Sequence, residues 1–265
     1  YTLNCIVRDD QYQNPNAQRI LEEALDRNKP AVYLGYATGA MLALKSLVQE
    51  VKLVTIPASA HIGLIDPPDN TYMFLPTSSY SEQVVALLEY IARQKKVALV
   101  VNPSPFGRAV LDDARKAAAQ LGLSIVDVQE VGGNNLDNTA LLRNLDSKGT
   151  EFIIHQNVAG PVANILKDAK KLGLDKKIKQ LGAVYTGGND LIRLAGDAAE
   201  GYLWASSYYT LDEDTPGIKL HRELAAKYNR GTLGQSHNYT AGLLAAAIAV
   251  ETMKRALQRF GKIDN

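Results

Sequence analysis

Cysteine is almost missing from this chain: Cys5 stands alone among 265 residues. One thiol closes no internal disulfide, and its place in an apolar run reads as a small buried residue on a strand. Four histidines, His61, His155, His221 and His237, lie far apart with no cysteine or histidine at metal-ligand spacing, so neither a zinc site nor any other cofactor is expected. No stretch reaches the ~18 consecutive apolar residues of a membrane span. The nearest, Ala241 to Met253, is short and alanine-rich and reads as a buried helix. An excess of either charge is lacking too. With 29 Lys+Arg against 28 Asp+Glu the net charge is +1, and nothing electrostatic draws the chain to nucleic acid or an anionic membrane. Catalytic signatures are absent: no G-x-x-x-x-G-K-[ST] phosphate loop, no completed G-x-G-x-x-G at Gly132-Gly133 or Gly187-Gly188, no G-x-S-x-G elbow. Ser236-His237 is mere adjacency and reads as a helix start.

What is present is a soluble composition, 46% hydrophobic and 22% charged, over a length sufficient for two modest cores. Short apolar runs alternate with helix-spaced segments. Tyr1–Val7, Ala31–Gly35, Val51–Ile56, Val97–Val101, 123–128, 151–154, 179–183 and 202–206 read as strands. Helices are predicted over Asn16–Asn28, from a Thr38 cap to about Glu50, and behind the Ser79-Tyr80-Ser81-Glu82 capping box. Others span 107–121, 137–147, 161–172 (stopped by Gly173), 189–195, about 215–229 and 238–260. Strict β–α alternation predicts doubly wound parallel sheets. Two stretches break the rhythm: Asp66 to Ser79, with Met73-Phe74-Leu75 as a short extended run, and Ser206 to Gly217. Read as crossings, they divide the chain into a discontinuous first lobe, 1–79 plus 208–265, and a second lobe, 80–207.

Five strand-to-helix junctions carry the chemistry: Leu34 to Gly39, Thr55 to His61, Val100 to Gly107, Ile153 to Asn157 and Leu181 to Gly187. In open α/β sheets ligands bind beyond the carboxyl ends of the strands. These loops hold hydroxyls, amides and rings but almost no acid or base, so they suit holding a molecule rather than cleaving one.

Late in the chain, Leu181-Gly182 and then Asn189 to Tyr202, with Ala195-Gly196-Asp197-Ala198-Ala199-Glu200-Gly201, resemble the "A-G-[DE]-A-A-E-G" stretch of type I periplasmic solute-binding proteins, in particular the leucine-isoleucine-valine-binding group of ABC importers. Arg8-Asp9-Asp10-Gln11-Tyr12 resembles that family's "D-D" strand end, Phe106-Gly107 its "Y-G", and Leu166 to Leu174 its "L-[RK]-x-A-[RK]-x-[LV]-G-L". The segments are collinear over nearly the whole chain. The resemblance implies two doubly wound lobes joined by a hinge, no catalysis, a monomer, and a periplasmic or otherwise extracytoplasmic location reached by a signal peptide, with a lipid anchor as an option. A small carboxylate would be held in the interlobe cleft by hinge closure, and the closed form would be read by an ABC permease. Relative to the family, the chain reads as lacking an N-terminal strand-helix and a C-terminal crossover.

By the same resemblance, Ala37, Thr38, Ala58, Ser59 and Ala60 seat the ligand carboxylate, and Tyr36 and His61 line that wall. Val184 occupies the position at which amino-acid-binding members place an acid for the ammonium, and Phe106, His155, Gln156, Asn157, Val158 and Tyr185 surround it. An unpaired buried ammonium costs several kcal/mol. Val184 therefore favours an aromatic, phenolic or oxo acid over a standard α-amino acid, with a branched-chain-like ligand requiring an acid from elsewhere. Helix capping for Thr38 and Ser59, and core packing for the rings, are the plainer readings of the same residues. A ligand-sensing domain of the same fold, such as an amide sensor or receptor ectodomain, is the alternative to an importer component; an enzyme on a flavodoxin-like sheet is the third.

Overall fold

A computed structural model describes residues 2–66, 72–91 and 93–263. The chain divides into two compact units, residues 1–76 with 244–265 and residues 77–243. The segment 208–243, which the sequence division gives to the first lobe, groups here with the second unit. Its attachments are polar and specific: Asn189 Nδ2 donates to the Gln235 carbonyl at 3.2 Å and Ser236 Oγ to Asp190 Oδ2 at 2.6 Å, and the Trp204 and His237 rings meet edge to face at 4.9 Å.

The first unit begins with α1 (Asn14–Arg27), which buries Ala17 and Leu21. It is followed by β1 (Val32–Gly35), α2 (Thr38–Glu50) and β2 (Val54–Pro57). The two strands pair in parallel, Val32 opposite Val54, and Met73 adds a single parallel bridge to Thr55. Leu21, Met41, Leu44, Val48, Leu53 and Leu64 form the core. Three expectations fail. The run Leu3 to Val7 forms no strand, and Cys5 is exposed; an apolar run becomes a strand only where a neighbour takes its backbone hydrogen bonds and a surface takes its side chains, and here neither is offered. Thr38 is the first helical residue, not the cap: Ala37 caps α2 at φ 67°, and the Thr38 hydroxyl turns to another partner. Tyr1 and Pro67 to Thr71, read as parts of a strand and a crossing, lie outside the described residues.

The second unit opens on α3 (Tyr80–Tyr90), started by the predicted capping box between Ser79 and Glu82. Then come β3 (Lys96–Val101), α4 (Pro105–Arg108), α5 (Leu111–Leu121), β4 (Ser124–Glu130), α6 (Thr139–Ser147), β5 (Phe152–Gln156) and α7 (Ala159–Lys171). The unit continues through β6 (Lys179–Gly182), α8 (Gly188–Ala195), β7 (Leu203–Trp204) and α9 (Pro216–Lys227). The last helix, α10 (His237–Phe260), runs past the unit boundary at Leu243. All five strands are parallel, in the order β4-β3-β5-β6-β7. Val97 to Val101 are buried without exception, as a parallel strand covered by helices on both faces must be. Gly173 ends α7 at φ 67°, with Leu174 N–H donating back to Ala169. The helix expected over 107–121 is broken in two, because its first turn, α4, lies down on Asn102: a Cβ on Gly107 would stand 2.0 Å from the Asn102 carbonyl oxygen. Among the described residues no helix is long and apolar enough to cross a membrane, and no three His, Cys, Asp or Glu side chains gather as a metal site needs.

Candidate functional site

The strand order places a switch point between β3 and β5: from β3 the chain moves outward to β4, then returns to β5 and proceeds the other way. The crevice beyond the carboxyl ends of such neighbours is where doubly wound sheets bind ligands. Amides line it. Asn157 Oδ1 accepts from Asn102 Nδ2 at 3.3 Å and from Val158 N–H at 2.9 Å, while its Nδ2 donates to the Val131 carbonyl at 2.8 Å. Gln156 Nε2 donates to the Phe106 carbonyl at 3.2 Å. Gln156 Oε1 and Ser104 Oγ are buried there without a hydrogen-bond partner. Buried polar atoms left unpaired are uncommon in folded proteins and call for an explanation.

Beside the amides stand three rings. Tyr80, Phe106 and Tyr185 meet pairwise edge to face at 5.1, 6.3 and 6.0 Å, the geometry that aromatic quadrupoles prefer. Val184 and Tyr185 belong to a short 3-10 turn, Val184–Thr186, held by Thr186 N–H to the Ala183 carbonyl at 3.0 Å. The Val184 N–H donates to Gln83 Oε1 at 3.0 Å. Sequence reasoning missed Tyr80 and Gln83. Tyr80 enters the sequence reading only within the capping box, and Gln83 does not enter it at all. A glutamine on the buried face of an amphipathic helix was the signal available.

Not every predicted residue joins this cluster. His155 is fully buried on the opposite face of β5 from Gln156, its Nε2 2.8 Å from Gln180 Oε1 and its ring 6.2 Å from that of Tyr202. Ile153, on the same face as His155, packs against Ile165 and Ala169 of α7. Burial drives the His155 pKa down to about 4, with the Gln180 hydrogen bond opposing, and the same dry surroundings push the Tyr202 phenol up. Val158 is half in solvent at the start of α7. A cleft of about 210 Å³ elsewhere in this unit, walled by Gly187, Trp204, Leu211 and His237, includes none of the predicted residues.

In the first unit the predicted residues gather at the carboxyl ends of β1 and β2. The buried hydroxyls of Thr38 and Ser59 are 2.8 Å apart, and Ser59 Oγ also accepts from the His61 N–H at 3.3 Å. Ala58 N–H donates to the Gly35 carbonyl at 2.8 Å, closing one loop on the other. Ala37, between them, holds a positive φ that a side chain adopts only at a cost. His61 Nδ1 accepts from the Gly63 N–H at 3.0 Å; burial lowers its pKa, Asp66 opposing and Lys45 assisting. Tyr36 is 64% exposed with Tyr12 edge-on at 6.1 Å.

Parallel sheets with helices between their strands and polar loops at the strand ends place the chain in the α/β class. The family model described as "Periplasmic binding protein" matches residues 1–265, and the chain belongs to that family. A branched-chain amino acid ABC transporter structure from Thermus thermophilus, with bound valine, is 66% identical over 99% of this chain and 69% of its own, with a TM-score of 0.97. A solute-binding protein of an ABC transporter from Rhodopseudomonas palustris BisB5, in complex with 3,4-dihydroxybenzoic acid, shares the fold. It has a TM-score of 0.79 and 24% identity over 98% of this chain and 70% of its own. The leucine-, isoleucine-, valine-, threonine- and alanine-binding protein of Pseudomonas aeruginosa is 23% identical over 172 residues, which are 65% of this chain and 43% of that protein. The chain thus spans less than half the length of that curated relative.

Proposed function

We propose that this chain is the solute-binding component of an ABC importer and that it holds a small carboxylate by hinge closure. The observation that carries the carboxylate is the Thr38–Ser59 pair. One hydroxyl donates to the other, so either way a single O–H proton remains for a third acceptor at the carboxyl ends of β1 and β2. A carboxylate suits that donor, since hydrogen bonds to ionised acceptors are the strong ones. The strained Ala37 backbone beside it supports the same reading, because strain of this kind gathers at functional sites.

A branched-chain α-amino acid of valine's size is the ligand we favour, supported by the valine bound in the 66%-identical Thermus structure. It requires that the ammonium meet an acceptor other than residue 184. A second reading, an aromatic or oxo acid, is favoured by Val184 itself and by the Tyr80–Phe106–Tyr185 rings around it. Tyr36, Ala37, Ala58, Ala60 and His61 complete the proposed carboxylate wall; Phe106, Gln156, Asn157, Val158, Val184 and Tyr185 complete the other. The partner is a membrane permease, the location extracytoplasmic, and the working unit a monomer. A sensor domain of the same fold is the alternative and would reveal itself by a regulatory partner in place of a permease.

The test is a thermal-shift and calorimetry panel of L-valine, its oxo acid 3-methyl-2-oxobutanoate, and 4-hydroxybenzoate. Valine and its oxo acid share carboxylate and side chain and differ only at the ammonium. Binding of valine alone supports the amino-acid reading; binding of the oxo or aromatic acid alone supports the second. Ser59→Ala is expected to weaken a carboxylate ligand roughly tenfold or more while leaving weak binding of its amide little changed. Equal losses for acid and amide would overturn the carboxylate seat.

A further inference from the structure

One side chain in the second unit makes contacts far out of proportion to its place in the sequence. Gln83, in the first turn of α3, is only 4% exposed. Its Oε1 accepts from the Val184 N–H at 3.0 Å. Its Nε2 donates to the Ser78 carbonyl at 2.9 Å and to Ser207 Oγ at 3.3 Å. Ser78 Oγ and Ser207 Oγ are in turn 3.0 Å apart. The orientation of the amide is dictated by its partners, since an N–H must face the oxygen and a carbonyl must face the NH₂. A single buried amide therefore joins three segments: residue 78, just inside the point where the chain enters the unit after Pro76; residue 207, in the irregular stretch that follows β7; and the turn bearing Val184 and Tyr185.

We propose that Gln83 is the positioning residue of the ligand loop, setting the height of the Val184–Thr186 turn and linking it mechanically to Ser78 and Ser207. This rests on the proposed role of Val184 and Tyr185 as ligand contacts. Because Gln83 consumes the Val184 N–H, that group is not offered to a ligand; the turn instead presents the Val184 side chain and the Tyr185 ring, at a depth fixed by the amide. Any displacement of the turn by a ligand is felt at Ser78 and Ser207, because the same planar group holds all three. A glutamine placed only to fill space would be replaced without consequence by leucine, which has nearly its volume and none of its polar atoms.

The experiment is backbone hydrogen exchange by mass spectrometry on ligand-free wild type, Gln83→Leu and Gln83→Glu, with affinities for L-valine, 3-methyl-2-oxobutanoate and 4-hydroxybenzoate on the same samples. Gln83→Leu is expected to speed exchange in peptides covering 183–187 and 77–79 together, while β3 and β5 stay protected, and to weaken the ligand that binds by roughly tenfold to a hundredfold, mostly through faster dissociation. Gln83→Glu keeps an acceptor for Val184 but turns a carboxylate toward the Ser78 carbonyl. It is expected to loosen 77–79 and to leave the Val184 amide protected. Should Gln83→Leu fail to fold, Gln83→Glu with Ser207→Ala carries the same comparison. Unchanged exchange at both segments overturns the inference, whatever binds. Absence of binding by wild type to any of the three compounds overturns the ligand reading instead, and the exchange data still decide the role of Gln83.

Discussion

At the scale of single residues, burial decides roles that residue type leaves open. Phe106 and His155 were both plausible pocket residues by position. Phe106 packs against Tyr80 and Tyr185 beyond the carboxyl end of β3, while His155 faces Gln180 of β6. Phe106→Ala is expected to lower ligand affinity by about 1–3 kcal/mol, read by calorimetry; unchanged affinity would make the ring purely structural. His155 predicts a pH dependence of stability. Its imidazole is held neutral, with a pKa moved from 6.5 to about 4, while the unfolded chain titrates at its ordinary value. Between those values the unfolded state binds more protons, so this contribution is complete above the unfolded pKa and is lost as pH falls toward the folded one. His237, lowered likewise to about 4 by burial, adds to the same slope. Urea unfolding at pH ~7.5 and ~5 should therefore show lower stability at the acid end, and His155→Gln should remove part of that difference. An undiminished difference in the variant would show that His155 does not titrate this way. That His155 meets Gln180 was beyond the sequence, because β5 is buried on both faces and period-two alternation does not say which neighbour each face meets.

At the scale of elements, most of the pattern was legible. The capping box at Ser79–Glu82, the buried run Val97 to Val101 and the Gly173 stop of α7 all stand where local chemistry places them. These signals act within a few residues, so no tertiary context is needed to read them. The break between α4 and α5 was not legible, since it comes from a contact of Gly107 with Asn102. A Cβ there would stand 2.0 Å from the Asn102 oxygen and 2.4 Å from its nitrogen. Gly107→Ala is accordingly expected to cost about 1–3 kcal/mol, the usual range for forced overpacking, and to weaken ligand binding by shifting Phe106. A urea midpoint equal to that of wild type would mean that α4 moves away freely. Leu3 to Val7 errs in the other direction: the residues suit a strand, and no described strand pairs with them.

For the whole molecule, what matters is that each compact unit has its own core and its own set of strand-end loops. A ligand that binds only the folded chain adds to its stability by mass action, about 2.7 kcal/mol at ~100 times its dissociation constant. The compound that raises the unfolding midpoint in the proposed panel is therefore expected to do so in proportion to the logarithm of its concentration. A rise independent of concentration would point to a nonspecific effect.

The sequence by itself determined the α/β alternation, the family and the loops at the strand ends, because periodicity, caps and short motifs are written in neighbouring residues. Only the tertiary structure decided that β3 and β5 flank the switch point, that Tyr80 completes an aromatic trio, and that Gln83 holds three segments through one amide. Those facts depend on residues up to 124 positions apart, and contacts at such separation are set by how elements pack rather than by the residues on either side.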